Sequence, residues 1–268
     1  MTDRTLTRRR ILQRLGLGMA AASSSLWLQG AGRIASASGK AHGWTYQGEA
    51  GPSHWGQLAP DYQVCSQGKR QSPIDLASAH LGSSPDVVLD WHPFQAKVTN
   101  NGHTIQLDPE PGAAPAALTR GDRRFDFLQL HFHHPSEHAL AGKRWPLEAH
   151  FVHKAASGGG LAVLGVMIRP GRANDLLGRI LARAPAKPGT AALNGAIDLG
   201  EMMPNAAATY QYAGSLTTPP CSEIVDWIVF RDPIEAGIGQ IESFARLFPM
   251  NARPLQSLGS RDVTIDFF

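Results

Sequence analysis

The 268-residue chain has two cysteines, Cys65 and Cys221, and both lie far in sequence from its histidine clusters. A closed structural metal site, which wants four ligands and often uses cysteine, has little to draw on. No run of about 20 apolar residues appears, so a membrane-spanning helix is disfavoured. No H-E-x-x-H appears either, which disfavours the common metalloprotease design. There is no internal repeat and no linker that clearly separates domains. A basic surplus is missing too, once the charge is located. The net +3 depends on Arg4, Arg8, Arg9, Arg10, Arg14 and Arg33 against Asp3 in residues 1–37. The remainder holds 19 basic and 21 acidic residues, a net of −2. Nothing there calls for a nucleic-acid partner.

The N-terminus reads as a targeting segment. "TRRRIL" (7–12) sets arginines before apolar residues, "LGLGMAAASSSLWLQGAG" (15–32) is mildly apolar, and "ASA" (35–37) is a small-x-small cleavage site. The pattern resembles a twin-arginine export signal, with Thr7, Arg8, Arg9, Ile11 and Leu12 at the motif positions. The division expected is a signal peptide over 1–37 and a mature domain over 38–268, located in the periplasm without a stable membrane anchor. In an oxidising compartment an even cysteine pair suggests a disulfide, the alternative being two free thiols. A Cys65–Cys221 bridge would close so long a loop that chain entropy alone gives about 5 kcal/mol, an upper figure.

Strand patterns dominate the mature chain. "AKVTNNGHTIQLD" (96–108) alternates around a turn-prone Asn-Asn-Gly. "FDFLQLHFHH" (125–134) and "LEAHFVHKA" (147–155) alternate again. "LAVLGVMIR" (161–169) suits a buried strand, and "EIVDWIVF" (223–230) is β-branched and aromatic. The Pro/Ala/Gly-rich stretch 108–122 reads equally as a hairpin excursion or a boundary. Helix signals are few: 174–184, with an Asn cap, and 239–248. The fold class expected is mainly β (α+β): one large, mostly antiparallel sheet with short surface helices.

"LHFHHPSEH" (130–138) packs four histidines into nine residues. Side chains alternate faces along a strand, so His131 and His133 share a face and His134 takes the other. Glu148, His150 and Val152 likewise share a face, with His153 opposite. If the two strands are neighbours, three imidazoles converge and leave one tetrahedral position open, as catalytic rather than structural zinc requires. Gln129 and Glu148, each two residues before a ligand on the same face, suit the role of orienting its other ring nitrogen.

These stretches resemble the metal-site strands of the α-class carbonic anhydrases. So, in order, do "WTYQGEAGPSHWG" (44–56), "QSPIDL" (71–76), "NNGH" (100–103), "LAVLG" (161–165), "GSLTTPPCSE" (214–223), "DWIVF" (226–230) and "MNARPLQ" (250–256), which together cover almost the whole mature chain. The resemblance implies a twisted sheet of about ten strands, at the upper end of ordinary sheet sizes, with zinc at the bottom of a cone-shaped cleft. It implies His131, His133 and His150 as zinc ligands, with Asn251 joining Gln129 and Glu148 behind them. The activity implied is reversible hydration of CO2 to bicarbonate by zinc-bound hydroxide, carbonic anhydrase being itself the reference system for zinc acidifying a water. Side esterase activity goes with it.

Thr217, paired with Glu137, would orient the hydroxide, and Thr218 would line the same wall. Val152, Val163, Leu216, Val225 and Trp227 match the hydrophobic side that receives CO2, although core packing explains Val225 and Trp227 equally well. His103 matches the proton shuttle, suited to it by an ordinary pKa near neutrality. Tyr46, Asn101 and Gln106 would border the water path, Gln106 departing from the Asn common in animal members. Cys65 and Cys221 match the single disulfide of exported bacterial members. His138 matches a structural histidine, and His134 stands where many animal members carry Trp. A homodimer is a possible assembly. The competing classes are a non-catalytic carbonic-anhydrase-like binding protein and a periplasmic zinc carrier. A carrier would not need Thr217, Glu137 or a shuttle histidine.

Overall fold

Alternation of apolar and polar side chains lets a strand bury one face or, where both faces are apolar, sit inside a layered structure. Both patterns occur in the computed structural model, which describes residues 43–113, 116–205 and 208–267. Its strands are β1 (His80–Leu81), β2 (Val87–Asp90), β3 (Ala96–Asn100), β4 (Ile105–Pro109), β5 (Ala117–Arg120), β6 (Arg123–His133), β7 (Leu147–Ala155), β8 (Leu161–Pro170), β9 (Gly189–Ala192), β10 (Ala208–Gly214), β11 (Val225–Phe230), β12 (Ile234–Ala236) and β13 (Thr264–Phe267). They form one sheet in the order β1-β13-β10-β11-β8-β7-β6-β4-β3-β9, with β12 beside β8 and the β2–β5 pair joined to β6. Three pairings are parallel: β1 with β13, and β8 with both β11 and β12. The rest are antiparallel, so the sheet is mixed but mostly antiparallel. The stretch 108–122 contains β5 and is a hairpin excursion, not a boundary. The proposed signal segment, 1–37, lies outside the described residues.

The central strands separate two apolar layers. Phe151 of β7 and Leu164, Val166 and Ile168 of β8 belong to the larger core, where the helices Asp175–Arg183 and Ile238–Leu247 contribute Leu176, Leu177, Ile180, Ile241 and Phe244. Each such side chain, fully buried, is worth about 1.5–3 kcal/mol of transfer free energy. Asn174 Oδ1 accepts the Leu177 N–H at 2.9 Å and starts the first helix as the sequence predicts. Val152 of β7 and Val163 and Met167 of β8 face the other way, into a smaller cluster with Tyr212, Val225 and Trp227.

One register shift decides which residues of β6 face which layer. Phe127 pairs with His153 and Gln129 with Val152, so Leu128 is an extra residue in β6. A one-residue insertion inverts the alternation beyond it. Phe125 and Phe127 therefore enter the larger core, and so do Leu130 and Phe132. Gln129, His131 and His133 are left on the opposite face. The sequence pattern, read as simple alternation, does not contain this bulge.

The N-terminal strap packs as a third cluster of Trp44, Trp55, Cys65 and Cys221. Cys65 and Cys221 form a disulfide across 156 residues. No helix among the described residues is long and apolar enough to cross a membrane.

Candidate metal centre

The antiparallel pairing of β6 and β7 sets His131 directly opposite His150, and His133 one pleat further on. The three rings lie with centroids 4.9, 5.2 and 4.6 Å apart. Each offers a nitrogen within 4.8 Å of the other two. In each ring the second nitrogen faces an oxygen. His131 Nδ1 donates to Gln129 Oε1 (2.8 Å), His133 Nδ1 to the Asn251 carbonyl (2.7 Å) and His150 Nε2 to Glu148 Oε1 (2.8 Å). These bonds fix the tautomers and leave His131 Nε2, His133 Nε2 and His150 Nδ1 for a ligand. His133 Nε2 is buried with no hydrogen-bond partner. Burial lowers the pKa of all three rings. For His131 the neighbouring imidazoles add to it and the fall is large; for His133 the value is about 4. Neutral imidazoles with an orphaned, converging nitrogen are what a metal ion with a taste for nitrogen requires, so the residues present fit one.

Glu148 holds this arrangement from behind. Its Oε2 accepts the N–H groups of Glu137 (2.8 Å) and His138 (2.9 Å), and its Oε1 faces His138 Nδ1 (2.7 Å) as well as His150. Burial alone would raise its pKa, but the His138 and His150 rings override that and hold it well below the carboxylate range. Gly165, opposite His150 in β8, makes room for it: a Cβ there would lie 3.1 Å from Glu148 Oε1. His138, read from the sequence as structural, is thus bonded directly into the support of the centre.

Glu137 is fully buried beside the rings, its Oε2 3.5 Å from His133 Nε2 and 3.9 Å from His150 Nδ1. Its Oε1 accepts the Arg253 N–H at 2.8 Å. Burial pushes its pKa up, opposed by His150, the Thr217 hydroxyl and the Arg253 N–H. The Thr217 hydroxyl is close enough to favour the carboxylate, yet Oε2 has no partner of good geometry. Sequence reasoning missed Arg253, although it sits inside the quoted "MNARPLQ". Its guanidinium donates to the carbonyls of Ser72 (2.8 Å) and Cys65 (2.9 Å) and lies over the Trp55 ring. Burial pushes its pKa down to about 10, so it remains a cation at neutral pH.

On one side of the rings, Val152, Val163, Val225 and Trp227 form a single apolar cluster, with Leu216 packed against it. Trp227 meets the His150 ring edge-on at 4.8 Å and donates its indole N–H to the Ser215 carbonyl. It is both wall and core. Thr218, in the tight turn after Thr217, accepts the Cys221 N–H through its carbonyl.

On the other side, the Asn-Asn-Gly-His turn joins β3 to β4, with Gly102 at φ +86°, a conformation that favours glycine. Asn101 Oδ1 accepts the N–H groups of His103 and Thr104, and Asn251 Nδ2 donates to the His103 carbonyl. Asn251 therefore ties this turn to His133. The His103 ring stacks on Trp44 at 3.8 Å, and burial lowers its pKa. Gln106 pairs with His131 in register; its amide donates to Asp108 (2.6 Å) and accepts from Asn101 (3.4 Å). Tyr46 packs edge-on against Trp44 and Trp55, and burial together with Glu137 raises its pKa well above the usual value.

His134 and His153 point away from the three rings. His134 donates Nδ1–H to the Pro249 carbonyl. His153, on the opposite face of β7 from His150, donates to the Phe151 carbonyl and stacks on Trp91.

Residues 50–267 match the family model for eukaryotic-type carbonic anhydrase. The chain is 40% identical to a carbonic anhydrase of Nostoc sp. over 96% of its own length and 97% of that protein. It is 38% identical to one from Pectobacterium carotovorum, over 85% and 92% respectively. Among solved structures it is similar to the α-carbonic anhydrase of Thermovibrio ammonificans in complex with the inhibitor sulfanilamide. The TM-score is 0.79 and the identity 41%, over 83% of this chain and 98% of that one.

Proposed function

The chain belongs to the eukaryotic-type, α-class carbonic anhydrases, a family of CO2-hydrating enzymes, and on that premise we propose that it interconverts CO2 and bicarbonate as an exported zinc enzyme. The observation that carries this reading is the trio His131, His133 and His150, each with one nitrogen engaged and the other turned toward a shared point. When bound there, zinc supplies Lewis acidity that yields a hydroxide-like nucleophile near neutral pH, the property for which carbonic anhydrases are the reference case.

The chain's own residues supply the rest. Three neutral imidazoles, those of His131, His133 and His150, would hold the ion. Glu137 has one oxygen committed to the Arg253 N–H and the other free to accept the Thr217 hydroxyl. A threonine that donates to a carboxylate presents only acceptor lone pairs on its other side. It therefore selects an oxygen that still carries a proton and turns that oxygen's lone pair toward the substrate. The cluster of Val152, Val163, Leu216, Val225 and Trp227 offers CO2 a surface where water gains little, and Thr218, next to Thr217 in the chain, lines the same wall. His103 accepts the proton released in each cycle and passes it to buffer, while Tyr46, Asn101 and Gln106 order the path between. The Cys65–Cys221 bridge agrees with an oxidising compartment, and the N-terminal pattern with export over 1–37 and a working domain over 38–268.

Stopped-flow CO2 hydration by the zinc-loaded mature chain, with and without sulfanilamide, tests the proposal. Fast hydration that the sulfonamide suppresses is the expected result. Absence of hydration by folded, zinc-containing protein would overturn it in favour of a binding or carrier role.

A further inference from the structure

The hydrogen bonds behind His150 do not end at Glu148. His138, which shares Glu148 Oε1 with His150, has its Nε2 at 2.7 Å from the Tyr212 hydroxyl. The Tyr212 hydroxyl also bonds Ser72 Oγ at 2.9 Å, so it joins the His138 ring to the serine. Ser72 and Ser215 then clamp each other: Ser72 N–H donates to Ser215 Oγ (2.9 Å), and Ser215 N–H donates to Ser72 Oγ (3.0 Å). All six residues are buried. Burial pushes the Tyr212 hydroxyl well above its usual pKa, so it keeps its proton at any working pH.

Packing leaves this chain little freedom. Tyr212 and Trp227 are cross-strand partners, and their rings stack within 8° of parallel. The edge of Trp227 meets both His138 and His150 at 4.8 Å. Gly214, next to the clamp, has no room for a side chain. A Cβ there would collide with Ser72 Oγ and lie 2.8 Å from the Trp227 and Tyr212 rings.

We propose that Tyr212 is a positioning residue for the metal ligand His150, acting through His138 and Glu148 and anchored by Ser72. The inference rests on the metal-centre reading given above. A carboxylate held at one oxygen can still swing the other. Glu148 Oε2 is fixed by two backbone N–H groups, whereas Oε1 is shared between two imidazole rings. The His138 ring therefore sets where Oε1 rests, and Tyr212 sets the His138 ring. Without the Tyr212 oxygen, His138 loses its far anchor and Oε1 can drift with it. His150 then loses the bond that aims its free nitrogen, and the consequence is weaker metal retention.

The test is zinc release from the mature, zinc-loaded protein into a chromophoric chelator, with zinc alone as the probe. Losing a direct partner of a ligand costs about 10- to 100-fold in metal affinity; for Tyr212→Phe, one step further out, about 3- to 10-fold faster release is expected. Ser72→Ala should change release in the same direction by less. In a Glu148→Gln background, Tyr212→Phe should add nothing, because the path is already cut. A purely packing role for Tyr212 predicts something else: equal loss of melting temperature with and without zinc, and unchanged release. That result, or full additivity with Glu148→Gln, overturns the inference. If Tyr212→Phe does not fold, Ser72→Ala carries the same comparison. Failure of the metal-centre reading would show separately, as absence of stoichiometric zinc in the unaltered protein.

Discussion

His150 and His153 stand three residues apart on β7, both buried, and burial lowers the pKa of both rings. One faces two other imidazoles and a carboxylate; the other faces Trp91 and Phe127. His150 gives one nitrogen to Glu148 and keeps the second for a ligand. His153 spends Nδ1 on the Phe151 carbonyl, two residues back in its own strand, and among the described residues it belongs to no cluster of three ligating groups. The two faces of one strand thus turn the same residue into a candidate ligand and into core. Histidine density and burial do not distinguish them. Convergence of free nitrogens, with oxygens behind each ring, does.

The sharpest way to break this comparison is to remove one histidine at a time. His150→Ala should lose hydration to background and weaken zinc binding by orders of magnitude, read by stopped flow and chelator competition. Full activity in that variant would show that the third ligand is another residue. His153→Phe should leave zinc stoichiometry and hydration within about twofold, since no group at the centre touches it; its effect is on stability.

That effect has a definite sign. The folded-state pKa of His153 is about 4, against about 6.5 for an unperturbed ring. Below pH 6.5 the unfolded chain takes up a proton that the folded chain refuses, so stability is lost as pH falls, fully so near pH 4. The gap corresponds to about 3 kcal/mol. Urea unfolding at pH 7 and pH 4.5 should therefore show a smaller acid loss in His153→Phe than in the wild type. Equal losses would mean that His153 is not the group responsible.

Two smaller effects sharpen the contrast between site and surroundings. In His103→Ala, turnover should fall by about 100-fold in dilute buffer, the low end of the range for a lost proton-transfer group, and imidazole should restore part of it. No dependence on buffer would remove His103 from the proton path. His134→Ala should change stability by less than about 1 kcal/mol, because it removes one partly exposed hydrogen bond to Pro249. A large loss of zinc there would mean that the Asn251 region depends on that ring.

How much was legible follows from how local each feature is. The strands β3, β4, β6, β7, β8 and β11, both longer helices and the Asn174 cap follow from residues near one another in the chain. So does the shared face of His131 and His133, and that of Glu148, His150 and Val152, because a pleated backbone fixes alternation within a few residues. The extra residue Leu128 was not legible: "FDFLQLHFHH" reads as unbroken alternation, and only the pairing with β7 shows the inversion that sends Phe127 to the core and His131 to the site. Nor could the sequence show which nitrogen of each histidine is free, since that depends on Asn251, 118 residues from His133.

The sequence by itself determined the composition of the candidate site: three imidazoles, two partners behind them and an apolar flank, each carried by short-range pattern or by resemblance. Tertiary structure alone decided its geometry. Tyr212 meets Ser72 across 140 residues, and Arg253 meets Glu137 across 116 and Cys65 across 188. Contacts at such separations depend on where packed layers bring distant segments. Alternation specifies which face a side chain takes; it does not specify what waits there.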